Sequence, residues 1–217
     1  MSWLATAALA GVTSFVATNI DDIIILMLLF SQVNRVFRRR HIVAGQYLGF
    51  LALIMASLPG FFGGLVVPKA WISLLGLVPI GVGISQLISQ RTEENEVQTV
   101  ATSQSQWNRP KTTGSLTSTL SSLLSPQTYN VAAITIANGG DNVSIYTSLF
   151  ASSDLPSLGI ILGIFFLLIG VWCYVAYRST HYPIIAELLT RHGRRTVPFV
   201  LIGLGIFILI ESGSMSS

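Results

Sequence analysis

The sequence predicts an all-α polytopic membrane protein in which six transmembrane helices form two inverted three-helix repeats. Three observations lead to this fold class. Of the 217 residues, 51% are hydrophobic and only 10% are charged, whereas a soluble domain carries about 25% charged residues. Long apolar segments recur along the chain, and about 20 apolar residues are enough to cross a bilayer. The polar motif Asn-x-x-Asp lies inside an apolar segment in each half, at residues 19–22 and 138–141.

Six apolar segments account for most of the chain, and each is predicted to be one transmembrane helix. The segments are Leu4–Phe30, Ile42–Phe62, Pro68–Ile88, Gln127–Phe150, Pro156–Tyr177 and Val197–Ile210. The first segment is preceded by no basic region and followed by no small-residue cleavage site. We therefore expect it to be a retained span rather than a signal peptide.

The six segments group into a single transmembrane domain over residues 1–217. Residues 1–90 form the predicted first repeat and residues 127–217 the second. Between them, residues 91–126 are rich in Ser, Thr and Gln and are predicted to be a polar cytoplasmic linker. The end of the linker is predicted to form a short surface helix, because four leucines recur there with helical spacing. They are Leu116, Leu120, Leu123 and Leu124.

The basic residues predict the orientation of the chain in the membrane. Eleven of the twelve lysines and arginines lie in the loops after the first, third and fifth segments. The remaining one, Lys69, lies on the other side. By the positive-inside rule the three basic loops are cytoplasmic, and both termini are outside. This distribution also explains the net charge of +3 without a nucleic-acid partner.

A second feature of the internal repeat is a pair of glycines, four residues apart, in the second segment of each half. Gly45 and Gly49 correspond to Gly159 and Gly163, and small residues at this spacing let helices approach closely. A Gly-x-Gly pattern likewise recurs in the third segment of each half. Because each half has an odd number of spans, the two halves must enter the membrane in opposite directions. Many secondary transporters have this arrangement.

Three aspartates within the apolar segments carry the main functional signal. Asp21 and Asp22 lie in the first segment and Asp141 in the fourth. A charged residue at the bilayer centre costs roughly 2.5–3.5 kcal/mol on insertion scales, so such residues are functional as a rule. Every lysine, arginine and histidine falls in a predicted loop. Protons, a bound cation, or the two in alternation would therefore neutralise the carboxylates; the alternative is a structural hydrogen-bond network between helices.

Neutral groups near the two motifs could add oxygen ligands for such a cation. The side chains are Thr18, Gln86, Thr135, Ser144 and Tyr146. Each has a structural alternative, which is a hydrogen bond to a backbone carbonyl or to a neighbouring helix. Gly139 and Gly140 weaken the helix before Asp141, and this would either turn backbone carbonyls toward a ligand or allow close packing.

The sequence Asn-x-Asp-Asp at residues 19–22 and Asn-Gly-Gly-Asp-Asn at residues 138–142, together with six spans, resembles the cadmium-resistance transporter (CadD-type) family of the lysine-exporter superfamily. The resemblance covers most of the chain apart from the linker. It implies export of a divalent metal, cadmium by family name, from the cytoplasm across a bacterial plasma (inner) membrane. It also implies a set of six ion-handling residues. These are Asn19, Asp21, Asp22, Asn138, Asp141 and Asn142.

The chemistry of these residues indicates a divalent cation without selecting cadmium. Carboxylate and amide oxygens are hard donors that suit Mn, Mg or Ca, and one cysteine, Cys173, cannot form a soft site alone. We found no glycine-rich loop with a lysine that would bind ATP. We therefore expect a secondary transporter and not an enzyme, with proton exchange as the coupling and no cofactor. Its expected partners are the metal ion and the lipid bilayer, and a homo-oligomer is compatible with the sequence.

Two other functions are compatible with parts of the pattern. The first is an exporter of a small organic cation such as a basic amino acid, as in other members of that superfamily. The second is an intramembrane aspartyl protease, because Gly139-Gly140-Asp141 resembles the glycine-aspartate motifs of such enzymes. Proteolysis requires neither an inverted repeat nor an asparagine beside each aspartate, so it explains less of the sequence.

Overall fold

The computed structural model describes residues 3–89, 125–180 and 197–210, and all regular secondary structure in these ranges is helical. The helices are α1 Trp3–Asn19, α2 Asp22–Ser31, α3 Arg39–Val66, α4 Lys69–Leu74, α5 Leu77–Ser89, α6 Pro126–Asn138, α7 Asn142–Ala151, α8 Leu155–Ser179 and α9 Val197–Ile210. The predicted all-α class is confirmed. Most of the predicted linker, including its leucine-rich helix, lies outside the described residues.

Length and composition qualify two of the described helices, α3 and α8, as membrane spans. The pair α1 and α2 forms a third candidate if a broken helix counts as one span, and its two parts meet at an angle of 60°. Helices α5 and α9 are apolar but shorter. Each predicted segment coincides with one helix or one interrupted pair. The count of six membrane spans stays a prediction.

Local sequence explains where the second-half helices begin. Helix α6 starts after Ser125, whose side chain accepts a hydrogen bond from the Thr128 backbone amide, and Pro126 occupies the first turn. Helix α8 starts after Asp154, whose carboxylate accepts a 3.0 Å bond from the Ser157 amide. Both are N-caps that satisfy amides left without partners in the first turn. The Ser157 hydrogen bond also holds the pKa of Asp154 below its ordinary value.

The two halves of the chain are interleaved. The long helix of the first half, α3, packs along the interrupted pair α6 and α7. The long helix of the second half, α8, packs along the interrupted pair α1 and α2. Each long helix therefore supports the broken helix of the other half, and hydrogen bonds join the residues at the two breaks.

An aromatic cluster fills the core next to both breaks. The Phe15 ring of α1 lies 5.5 Å from the Phe50 ring of α3 and 5.7 Å from the Phe165 ring of α8. The ring of Tyr146 from α7 lies 4.9 Å from that of Phe165. All four side chains are fully buried. The cluster thus joins helices from both halves. Phe15 lies about one turn before the first break, and Tyr146 lies about one turn after the second.

The glycine pairs behave differently in the two long helices. A Cβ on Gly45 would lie 2.5 Å from the Val131 side chain, and a Cβ on Gly49 would lie 2.6 Å from Thr135 Cβ. Close packing of α3 against α6 is therefore confirmed. The same prediction for Gly159 and Gly163 is wrong for the part of the chain that the structure describes, since a Cβ at either position meets no atom of it within 4 Å. The faces of α8 that bear these glycines do not contact another described helix.

The third segments of the two halves also meet through glycine. The break between α4 and α5 contains Gly76, and a Cβ there would lie 2.6 Å from the Gly205 carbonyl oxygen of α9. A Cβ on Gly83 of α5 would lie 2.7 Å from the Pro198 carbonyl oxygen. The backbones of α5 and α9 therefore approach as closely as those of α3 and α6.

The basic residues at three helix ends are not in loops as predicted. Arg39, Arg40 and His41 lie in the first turn of α3, Lys69 is the first residue of α4, and Arg178 lies in the last turn of α8. The Arg39 guanidinium sits 4.2 Å from the centre of the Tyr177 ring, a cation–π contact that favours a helical position there. Long basic side chains at helix ends still keep their charge outside the apolar segment.

Candidate ion site at the paired helix breaks

The site is built where the first segment of each half is interrupted. Helix α1 ends at Asn19 and α2 begins at Asp22. Helix α6 ends at Asn138 and α7 begins at Asn142. The first break contains two residues, Ile20 and Asp21. The second contains three, because Gly139 and Gly140 take the place of the single residue Ile20 before the aspartate.

The extra glycine corrects the predicted correspondence between the two motifs. Asp21 and Asp141 are the N-cap residues of α2 and α7, and both have right-handed helical backbone angles. Asp22 and Asn142 are then the first residues of these helices. The spacing Asn-x-x-Asp pairs Asp22 with Asp141, whereas the structure pairs Asp21 with Asp141. The prediction was wrong by one residue because the second break is one residue longer.

Burial separates the inner residues of the two breaks from the outer ones. Asp22 is only 5% exposed and Asn142 only 4%. Asp21 is partly exposed and Asp141 is exposed. The first residues of α2 and α7 are thus buried in the protein, while the N-cap residues before them keep part of their surface exposed.

The carboxylate of Asp22 is held by two neutral amides. Its Oδ1 accepts a 2.5 Å hydrogen bond from Asn138 Nδ2, and its Oδ2 accepts a 3.1 Å bond from Gln46 Nε2. Gln46 is in turn fixed by Thr135, whose hydroxyl lies 2.7 Å from Gln46 Oε1. This network crosses between the halves, since Asn138 and Thr135 belong to α6 while Asp22 and Gln46 belong to α2 and α3. It brings no positive charge to Asp22.

A second network organises the end of α1. The Asn19 amide donates to the Phe15 carbonyl and to the Tyr146 hydroxyl, each at 2.8 Å. The same Tyr146 hydroxyl lies 2.7 Å from the Thr18 hydroxyl. Tyr146 is fully buried on α7, so these bonds tie the end of α1 to the second break.

Backbone carbonyls released by the first break are met by side chains of the second half. The Thr18 carbonyl accepts a 3.2 Å bond from Asn142 Nδ2. The Asn19 carbonyl accepts a 2.7 Å bond from Trp172 Nε1 of α8. An interrupted helix leaves its last carbonyls without helical partners, and in an apolar interior other donors must replace them.

The predicted site residues therefore fall into two groups. Asn19, Asp22, Asn138 and Asn142 take part in the buried networks, together with the predicted oxygen donors Thr18, Thr135 and Tyr146. Asp21 and Asp141 are instead the N-cap residues of α2 and α7. Ser144 donates instead to the Asp141 carbonyl, and Gln86 lies on α5, apart from these bonds.

Two residues of the networks were not predicted from the sequence. They are Gln46 and Trp172. Gln46 carries a recognisable signal, because it is a buried amide within a 28-residue apolar helix, and buried polar groups in such helices need partners. Trp172 carries none, since tryptophan is common in apolar spans.

The helix ends that meet at the two breaks carry partial charges of both signs. The C-terminal ends of α1 and α6 carry partial negative charge, and the N-terminal ends of α2 and α7 stabilise the carboxylates beside them. In the part of the chain that the structure describes, no group of three or more His, Cys, Asp or Glu could hold a metal ion. A cation here would therefore need amide, hydroxyl or carbonyl oxygens in addition to carboxylates.

Comparison with protein families gives a match over most of the chain. A family model described as cadmium resistance transporter matches residues 15–217. The matched range includes both breaks and every residue of the two networks. Comparisons with curated proteins and with solved structures gave no match.

Proposed function

Because this chain belongs to the cadmium resistance transporter family, we propose that it is a secondary transporter that exports a divalent metal cation from the cytoplasm. The observation that carries the proposal is Asp22, a buried carboxylate at a helix break whose two hydrogen-bond partners are neutral amides. A buried carboxylate with no basic partner attracts a cation or a proton. The six residues that would handle the cation are those predicted from the two motifs.

The proposed architecture is six membrane spans in two inverted repeats, with both termini outside a bacterial plasma membrane. Three features support it. Each of the six apolar segments is helical, both first segments are broken next to an Asn and an Asp, and each long helix packs on the broken pair of the other half. Transporters with inverted repeats place broken helices around a site near the bilayer midplane. The distribution of basic residues supports the orientation.

We propose proton exchange as the coupling. The cation and protons would compete for the Asp22 carboxylate, because a buried carboxylate without a counter-charge does not stay ionised and the neighbouring Asp21 and Asp141 add charge of the same sign. Protons entering from outside would release the cation, and the cation arriving from the cytoplasm would release protons. Membership of a transporter family favours this function over the protease alternative.

The donor atoms at the two breaks bear on which metals the protein would carry. The family description names cadmium, whereas the donors in the two networks are hard oxygens that suit Mn, Mg or Ca. Oxygen ligands would bind Cd²⁺ weakly, and weak binding is acceptable for an exporter that must release its substrate. We therefore propose a divalent cation site that accepts Cd²⁺ among others.

The proposal is tested by measuring metal content in bacteria that produce the protein. Cells are exposed in parallel to Cd²⁺, Zn²⁺, Mn²⁺ and Co²⁺, and intracellular metal is measured by mass spectrometry. We expect lower content of at least one divalent metal than in cells with empty vector. Equal content for every metal, together with lower intracellular lysine, would favour the organic-cation exporter instead.

A further inference from the structure

We propose that Gln46 is a ligand of the transported cation and that Thr135 allows its amide to turn toward it. This inference rests on the proposed function and adds residues that the two Asn-Asp motifs do not contain. In the structure Gln46 donates to Asp22 through Nε2 and accepts from Thr135 through Oε1. It therefore holds the Asp22 carboxylate and keeps its own carbonyl oxygen directed toward α6.

An amide can reverse these roles by rotating about its last bond. The Gln46 carbonyl oxygen would then face Asp22, where a cation could be shared between the two oxygens. Amide oxygens are hard donors of the kind that bind such cations. The rotated Nε2 would face the Thr135 hydroxyl, which must then accept rather than donate.

The surroundings of Thr135 permit this change. Its hydroxyl lies 2.7 Å from Gln46 Oε1 and 3.0 Å from the Val131 carbonyl oxygen. A hydroxyl carries a single proton but two acceptor lone pairs. When its proton points to Val131, the oxygen can accept from Gln46 Nε2. The Gln46–Thr135 bond would thus persist in both orientations, and neither buried group would be left without a partner.

Packing restricts Gln46 to this rotation. Gln46 and Thr135 are each only 5% exposed, and Gly45 and Gly49 bring the α3 backbone against α6 on either side of them. The side chain therefore has no route away from Asp22. The same close contact explains why α3 has glycine at both positions.

The first test replaces the Gln46 amide by side chains of similar size. Gln46→Met introduces a soft thioether and Gln46→Leu introduces no ligand, while the two replacements have nearly equal volume. If Gln46 binds the cation, the Met variant should export Cd²⁺ about tenfold faster than the Leu variant, because Cd²⁺ accepts sulfur. With Mn²⁺, which prefers oxygen, the two variants should be equally impaired.

The second test removes the hydroxyl that permits rotation. Thr135→Val should lower Cd²⁺ export about tenfold, because a buried hydrogen bond is lost. Thr135→Ser keeps the hydroxyl and should export Cd²⁺ at the wild-type rate. Thr128→Val is the matched control, because Thr128 is also a buried threonine of α6 but bonds to Ser125. The amount of each variant in the membrane is measured alongside, so that export is compared per molecule of inserted protein.

The outcomes separate this inference from the proposed function. Export by the wild type, with equal Cd²⁺ rates in the Met and Leu variants and an unaffected Thr135→Val variant, would overturn the Gln46 assignment alone. No export of any divalent metal by the wild type would overturn the proposed function and this assignment with it.

Discussion

Gly49 provides a quantitative test of the contact that positions Gln46. A Cβ added at Gly49 would lie 2.6 Å from Thr135 Cβ and 2.8 Å from the Ala132 carbonyl oxygen. Ordinary contacts of this kind are 3.4–4 Å, so Gly49→Ala must separate α3 from α6 by about 1 Å. The bond of 2.7 Å between the Thr135 hydroxyl of α6 and Gln46 Oε1 of α3 would then lengthen to about 3.7 Å, which is beyond hydrogen-bond range.

We expect two measurable consequences of Gly49→Ala. Overpacking at this contact should lower the free energy of unfolding by about 1–3 kcal/mol, and the melting temperature of the purified protein by roughly 2–12 °C. Metal export should fall in parallel, because Gln46 loses the Thr135 hydroxyl that fixes its amide beside Asp22. The first is measured by thermal unfolding in detergent and the second by intracellular metal content.

Gly163→Ala is the matched control for this prediction. Gly163 is also a glycine within a long apolar helix, but a Cβ there meets nothing within 4 Å. Alanine should be neutral or stabilising by up to about 1 kcal/mol, since glycine is a poor helix former. Equal melting temperatures and equal export for the two variants would refute the reasoning that the α3–α6 contact holds the site.

Three further predictions concern topology, sulfur and coupling. Reporters fused after Arg40, within residues 98–106 and after Arg195 should read as cytoplasmic, and both termini as external; an external reading within 98–106 would contradict the inverted repeat. Cys173→Ala should leave Cd²⁺ export within about twofold, because Cys173 is buried in the core and a Cys-to-Ala change there is small; loss of Cd²⁺ export alone would contradict an oxygen-donor site. In everted membrane vesicles with an acidic lumen, metal should accumulate and a protonophore should abolish the accumulation; uptake that is insensitive to the pH gradient would contradict proton exchange.

Local sequence predicted the helical class and the break before Asp141, but it did not predict the break between Asn19 and Asp22, where no glycine or proline interrupts the segment. Apolar segments of suitable length specify helices whatever surrounds them, and Gly139-Gly140 weakens a helix by itself. The same local signals located Asn19, Asp22, Asn138 and Asn142 within the networks. These features depend on residues close together in the chain, so sequence reasoning could reach them.

Features that depend on contacts between the faces of different helices could not be predicted from local sequence. Gly45 and Gly159 have the same four-residue spacing to a second glycine, yet only Gly45 faces another described helix closely. Gln46 could be placed at Asp22 only once α3 was known to pack on α6. The one-residue shift between Asp22 and Asp141 likewise required the lengths of the two breaks.

We infer that the Asp22 carboxylate at the first helix break handles the cation. The most direct measurement compares intracellular Cd²⁺ in cells that produce the wild type, Asp22→Asn or Asp154→Asn at equal membrane levels. Asp154→Asn is the control because it changes an aspartate outside the apolar segments and keeps a capping side chain. We expect Asp22→Asn cells to contain as much Cd²⁺ as cells without the protein, and Asp154→Asn cells to match the wild type. Wild-type export by Asp22→Asn would contradict the claim and leave Asp22 a structural residue.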